Sequence, residues 1–141
     1  MDSYRIQNPI LLIVYKRIDT LQEIIKQLAK LKPSSIYIAA NSHKNKEEEE
    51  QQVKEVRNFL ESTIQWQCNI HRFYRESHLS AKLSISSGIS WFFSHEKQGI
   101  ILEDNCLPTL SFFRFCDELL EISGKRRGFY DKWLECARLR P

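Results

Sequence analysis

The five consecutive aliphatic residues Ile10 to Val14, bounded by Pro9 and followed by Tyr15, constrain this chain more than any other feature. A short apolar run with β-branched members and no polar alternation is the pattern of a strand covered on both faces, as in a parallel sheet. A parallel sheet in turn requires a crossover between its strands, usually a helix. The run is also the longest unbroken aliphatic stretch in the chain, far below the roughly 18 apolar residues that a membrane-spanning helix needs.

The crossovers are legible. Leu21, Ile24, Ile25, Leu28 and Leu31 fall on one helical face, with Asp19 as the expected N-cap, Gln22 at the third helical position, and Pro33 as the stop. Ser35 to Ala40 reads as a second strand and Asn41 to Lys46 as a polar loop. Asn45, with Glu48 three residues on, has the form of an N-cap with a reciprocal partner for a helix whose buried stripe is Val53, Val56, Phe59 and Leu60. The four glutamates Glu47 to Glu50 then lie in its first turn, where the backbone dipole favours negative charge. Consecutive helical residues point in different directions, so this run is read as a solvated face rather than a metal site.

Cys68 to Tyr74 predicts a third strand. His78 to His95 predicts a helix, with Leu79, Ile85, Ile89, Phe92 and Phe93 at helical spacing, and Gly99 breaks it. Gly99 to Leu102 is a fourth, very short strand that delivers Glu103, Asp104 and Asn105 at its carboxyl end, and Thr109 to Ile122 is helical again. Four rounds of strand and helix predict an α/β layer fold around a mostly parallel sheet. Such sheets bind ligands beyond the carboxyl ends of their strands, where strand order reverses. The segments to watch are therefore Lys16–Asp19, Asn41–His43, Arg75–His78 and Glu103–Asn105.

Charge and composition narrow the chemistry. Six basic residues against two acidic from Gly124 to Pro141 give a local net of +4, which leaves the other 123 residues at −1 out of a total of +3. A body so close to neutral lacks the basic face of a duplex-binding domain, so nucleic acid is not the expected partner. Four cysteines without a Cys-x-x-Cys pair read as free thiols rather than zinc ligands or disulfides. Four glycines form neither a Gly-x-Gly-x-x-Gly nor a Walker loop, so any phosphate has to be held by side chains or a metal. The opening Met1-Asp2-Ser3-Tyr4-Arg5 is not the basic start of a secretory signal, and the expected location is cytoplasmic. Phe129, Tyr130, Trp133 and Leu134 read as an apolar C-terminal helix that covers the sheet edge or meets a second copy or partner chain. The expected division is 1–123 for the α/β domain and 124–141 for this basic and aromatic helix or tail.

Two carboxylates and an amide oxygen after a buried strand suit a hard divalent cation such as Mn²⁺ or Mg²⁺, although Glu-Asp after a strand is also a common turn or helix cap. The surrounding motif is more specific. Ile100-Ile101-Leu102-Glu103-Asp104-Asn105-Cys106-Leu107-Pro108, followed by Ser111-Phe112-Phe113-Arg114-Phe115-Cys116, resembles a stretch of the family 2-like glycosyltransferases. Pro9 to Arg17, Tyr37-Ile38-Ala39-Ala40, Phe73-Tyr74-Arg75-Glu76 and Ser86 to Phe93 resemble the same family in the same order. The resemblance implies a three-layer, Rossmann-like domain of the nucleotide-diphospho-sugar transferase type that binds a nucleotide-sugar donor with Mn²⁺ or Mg²⁺. The nucleotide-sugar-binding positions it implies are Tyr15, Arg17, Asn41, Arg75, Lys82, Glu103 and Asp104, with Asp104 and Asn105 at the metal; His78 joins them from its place at the site mouth, with a plain helix-start role as its alternative.

The chain departs from the family pattern at three of these places. Asn41 stands where the family has Asp, His78-Leu79-Ser80 where it has Asn-Leu-Gly, and Asn105 where it has Asp. An amide keeps the oxygen but removes a charge that a divalent cation uses. The resemblance covers Pro9 to Ile122, and the acceptor half and general base of the family match nothing in the remainder. Three readings therefore stay open: a glycosyltransferase-like donor domain, a truncated or degenerate relative that binds without transfer, and an interaction module that uses the basic tail.

Overall fold

A computed structural model describes residues 4–104, 108–122 and, as backbone alone, 123–125 and 133–135. The elements alternate as β1 (Ile10–Val14), α1 (Ile18–Leu31), β2 (Ser35–Ala40), α2 (Glu47–Thr63), β3 (Asn69–Tyr74), α3 (Ala81–Phe93), β4 (Gly99–Glu103), α4 (Leu110–Lys125) and β5 (Trp133–Glu135). The strands form one parallel sheet in the order β3-β2-β1-β4-β5. In its register Ile10 lies opposite Ile36 and Ile100, and Ile13 opposite Ala39 and Glu103.

Strand alternation sorts the apolar residues into two layers. Ile10, Leu12 and Val14, with Ile36, Ile38, Ile100 and Leu102, pack against α1, α2 and α4 through residues such as Leu21, Leu28, Val56, Leu60, Phe113 and Cys116. Leu11, Ile13, Tyr37, Ala39 and Ile101 pack on the other face against Phe92 of α3. The architecture is thus the expected three-layer α/β fold, and all five residues of β1 are buried because helices lie on both sides. Among the described residues no helix is long and apolar enough to cross a membrane.

The helix starts differ from the sequence reading. Asp19 and Asn45 are not caps: α1 begins after Arg17 and α2 after Lys46, and neither cap residue makes a side-chain cap bond. Asp19 instead lies in the first turn of α1, where its charge suits the dipole. Residues 78–80 precede α3 rather than belonging to it, because Ser80 Oγ accepts from the Leu83 N–H (3.3 Å) and starts the helix at Ala81. Lys32, in the left-handed region (φ 47°), closes α1 by donating its N–H to Leu28 O (2.7 Å) ahead of Pro33.

At the amino end of the sheet a buried carboxylate ties α4 to the segment that leads into β1. Asp117, 1% exposed, accepts from the backbone N–H groups of Gln7 (3.0 Å) and Asn8 (2.9 Å), from Asn8 Nδ2 (2.7 Å) and from the Tyr4 hydroxyl. Beside it Gln98 Nε2 donates to Asn8 Oδ1 (2.6 Å). Gly99 starts β4 against this same edge, with no room for a side chain: a Cβ there would lie 2.2 Å from the Phe92 ring and 2.9 Å from Pro9 O.

The C-terminal segment is corrected in part. Trp133–Glu135 is a strand, not a helix, and extends the sheet beside β4 with Gly99 opposite Trp133. The rest of 126–141 lies outside the described residues, as do Cys106 and Cys136. Of the other thiols, Cys116 is buried and Cys68 partly buried, and both are free. The α1, α2 and α3 crossovers share one hand, since α1 and α2 cover one face while the chain steps from β1 to β3, and α3 covers the other face while it steps back to β4.

Candidate functional site

With β2 and β3 on one side of β1 and β4 on the other, the strand order reverses between β1 and β4, and the crevice lies beyond Val14 and Glu103. Asp104 occupies it. Its N–H continues the ladder to Ile13 O (3.1 Å), and its Oδ2 accepts from the Tyr15 N–H (2.9 Å). The Arg17 N–H lies near the same carboxylate, so Asp104 offers the start of α1 the acceptor that Arg17 cannot supply. Burial pushes the Asp104 carboxyl up, and these N–H groups with the Arg17 charge pull against that. Arg17 itself is exposed, with its guanidinium 3.8 Å from Asp19.

Tyr15 and His78 close the β2 side of the crevice. Their ring centroids are 5.4 Å apart with planes at 46°. His78 is held by Nδ1, 2.9 Å from Ser42 O. Asn41 is buried at the end of β2, with its amide committed: Oδ1 accepts from the N–H groups of Ser42 (2.9 Å) and Leu79 (3.0 Å), and Nδ2 donates to Leu79 O (2.9 Å). It is a latch that fixes the segment carrying His78.

Arg75, at the end of β3, turns toward α3. Its guanidinium lies 4.1 Å from the Phe73 ring centroid and donates from Nη2 to Ser87 Oγ (2.5 Å), while Nε is buried and unpartnered. Burial lowers its pKa, and no ion pair to it exists among the described residues. It lines a cleft of about 460 Å³ with Phe73, Tyr74, Glu76, Ser77 and Leu79. A guanidinium with no ion pair offers an anion its donors, and the Glu76 carboxylate in the same cleft works against one. Lys82 is exposed in the first turn of α3, and Glu103, in register with Ile13, lies on the α3 side of the sheet. Asn105 lies outside the described residues. The structure thus joins Tyr15, Arg17 and Asp104 on one side and Tyr15, Asn41 and His78 on the other, and leaves Arg75 apart from both.

Two residues of this end escaped the sequence reading. Arg57 of α2 donates from Nη2 to Asn41 O (3.1 Å) and Arg75 O (2.9 Å), and it stacks 5.0 Å from the Tyr74 ring, so it holds the ends of β2 and β3 together. Glu49, 8% exposed, is not part of a solvated face. It accepts from Lys16 Nζ (2.6 Å) and the Tyr15 hydroxyl (3.2 Å). Glu49 stands four and seven residues before Val53 and Val56, which is the spacing that marks it as the inward member of the glutamate run.

Lys16 and Tyr15 hold the Glu49 carboxyl below its usual 4.5. The folded state thus binds this proton more weakly than the unfolded chain, so the contribution to stability is full above about pH 4.5 and fades as pH falls through the lower folded value. Asp104, shifted upward, works in the opposite sense. Urea titrations across pH 3 to 7 are expected to show a shallower acid limb in Glu49→Gln than in the parent chain; equal slopes would refute the assignment.

Among the described residues no three His, Cys, Asp or Glu side chains converge as a metal cluster. Among the described residues Asp104 offers its carboxylate at the crevice, and Mg²⁺ is commonly held by one or two carboxylates and the phosphates of its substrate. A cation there would also offset the cost of burying that charge. No protein-family model, curated protein or solved structure matches the chain, so its functional reading rests on these residues.

Proposed function

We propose that the chain is a glycosyltransferase-like domain that binds a nucleotide-diphospho-sugar in the β1/β4 crevice together with Mn²⁺ or Mg²⁺. The observation that carries this reading is the clasp of Asp104 on the Tyr15 N–H at the point of strand reversal, with His78 across the Tyr15 ring. Tyr15 and Asp104 come from two separate motifs that resemble the glycosyltransferases, and their meeting at the point of strand reversal supports the reading. In it Tyr15 offers a ring to the base, Arg17 attracts the diphosphate and Asp104 with Asn105 holds the cation, while Arg75 adds positive charge from the neighbouring cleft at the end of β3. When bound, the cation neutralises charge on the departing diphosphate. The sugar would pass to an acceptor hydroxyl of unassigned identity. A cytoplasmic location and a C-terminal contact with a second copy or partner chain belong to the same proposal.

A second reading, binding without transfer, is favoured by Asn41. Its side chain is spent on Ser42 and Leu79, so the site is more committed to its own backbone than an open donor site needs to be.

Calorimetry with uridine and guanosine diphosphates, with and without Mn²⁺, tests the shared element. Metal-dependent binding is expected, strengthened in Asn105→Asp by the added carboxylate. A folded sample that gives no heat at millimolar nucleotide in either condition would overturn the proposal. Turnover of a labelled nucleotide-sugar separates the two readings.

A further inference from the structure

We infer that His78, not the residue at the end of β2, recognises the edge of the base, and that it selects a nucleobase carrying a ring N–H, as uracil and guanine do. The inference rests on the nucleotide-binding reading and adds a selection rule to it.

Asn41 is excluded by its surroundings. It is 4% exposed, Oδ1 already accepts two backbone N–H groups, and Nδ2 donates to Leu79 O. A ligand could reach it only by dismantling the latch. The latch places the next polar group instead: Leu79 is held to the end of β2, and His78 stands just before it, with Nδ1 2.9 Å from Ser42 O.

That contact fixes the tautomer. A carbonyl oxygen only accepts, so Nδ1 carries the hydrogen and Nε2 of the neutral ring keeps its lone pair. No described residue is bonded to Nε2, and the ring is part-exposed. Its neighbour is equally fixed, since the Tyr15 hydroxyl is tied to Glu49 and the Tyr15 N–H to Asp104. The inference places the base against the Tyr15 ring, which has His78 5.4 Å away and Lys16 Nζ 5.3 Å away, with the rim of the base on the Nε2 lone pair. An acceptor held in place rewards a ligand N–H and penalises its replacement by a methyl group.

The test is calorimetry with Mn²⁺ at about pH 8. The pairs are uridine diphosphate against its 3-methyl analogue and guanosine diphosphate against its 1-methyl analogue. N-methylation is expected to weaken binding to the parent chain about tenfold or more. His78→Ala is expected to bind the unmethylated nucleotides about tenfold more weakly and to lose the discrimination, and His78→Gln, which retains an acceptor, to recover part of it. Equal binding of methylated and unmethylated nucleotides by the parent chain, or discrimination that persists in His78→Ala, overturns this inference while leaving nucleotide binding intact. Absence of all nucleotide binding overturns both.

Discussion

Gly99→Ala is expected to lower stability by about 3 kcal/mol or more, the upper range for overpacking a filled core. The added methyl would lie 2.2 and 2.5 Å from two atoms of the Phe92 ring and 2.9 Å from Pro9 O. Neither neighbour can give way cheaply. Phe92 is fully buried and is the main α3 contribution to its face of the sheet, while Pro9 O already accepts the Ile100 N–H (3.0 Å) that aligns β4 with β1. Urea unfolding gives the measurement, as a fall in midpoint at unchanged slope. Shrinking the ring identifies the mechanism: in Gly99→Ala with Phe92→Leu the loss should be smaller than the sum of the two single losses. A Gly99→Ala chain within about 0.5 kcal/mol of the parent would mean that β4 does not approach α3 as closely as described.

The second large effect belongs to Asp117→Ala, for which a loss of about 3 kcal/mol is expected. The carboxylate is buried and gathers the Gln7 and Asn8 N–H groups, the Asn8 side chain and the Tyr4 hydroxyl. Its removal strands at least two of these donors away from water, at roughly 1–3 kcal/mol for each buried donor left unmade. Asp117→Asn keeps the shape and one acceptor oxygen and should cost clearly less. Amide hydrogen exchange adds a local readout, since Gln7 and Asn8 should lose protection in Asp117→Ala before α1 does. Unchanged exchange at both amides would show that the network does not hold the segment before β1.

What the sequence made legible follows from the range of the forces involved. The β1 run and the α1 stripe of Leu21, Ile24, Ile25, Leu28 and Leu31 were readable because burial repeats with the period of the element, and every one of these residues is buried. The caps were not. Asp19 was a reasonable local candidate, but the carboxylate that serves the backbone ahead of α1 is Asp104, 89 residues beyond Tyr15. Arg57 and Glu49 were hidden for a related reason, since each acts across elements that only the fold brings together. The Trp133–Glu135 strand is three residues long, too short for any period to show, and its position rests on the open edge of β4. The candidate site is half legible in the same sense: the ends of the strands named segments that the fold brings to one end of the sheet, but not that the amide of Asn41 would be consumed in holding His78.

The two ends of β1 carry different obligations. The Asp117 network grips the residues before Ile10, whereas Tyr15 and its partners begin after Val14, and a strand of five residues separates them by about 16 Å. Groups more than about 10 Å apart with no shared partner contribute additively. Changes at Tyr15, His78 or Asp104 can therefore accumulate without drawing on the bonds that hold the fold at its other end. Substitutions in this crevice would add their own effects on stability and leave the bonds of the Asp117 network in place.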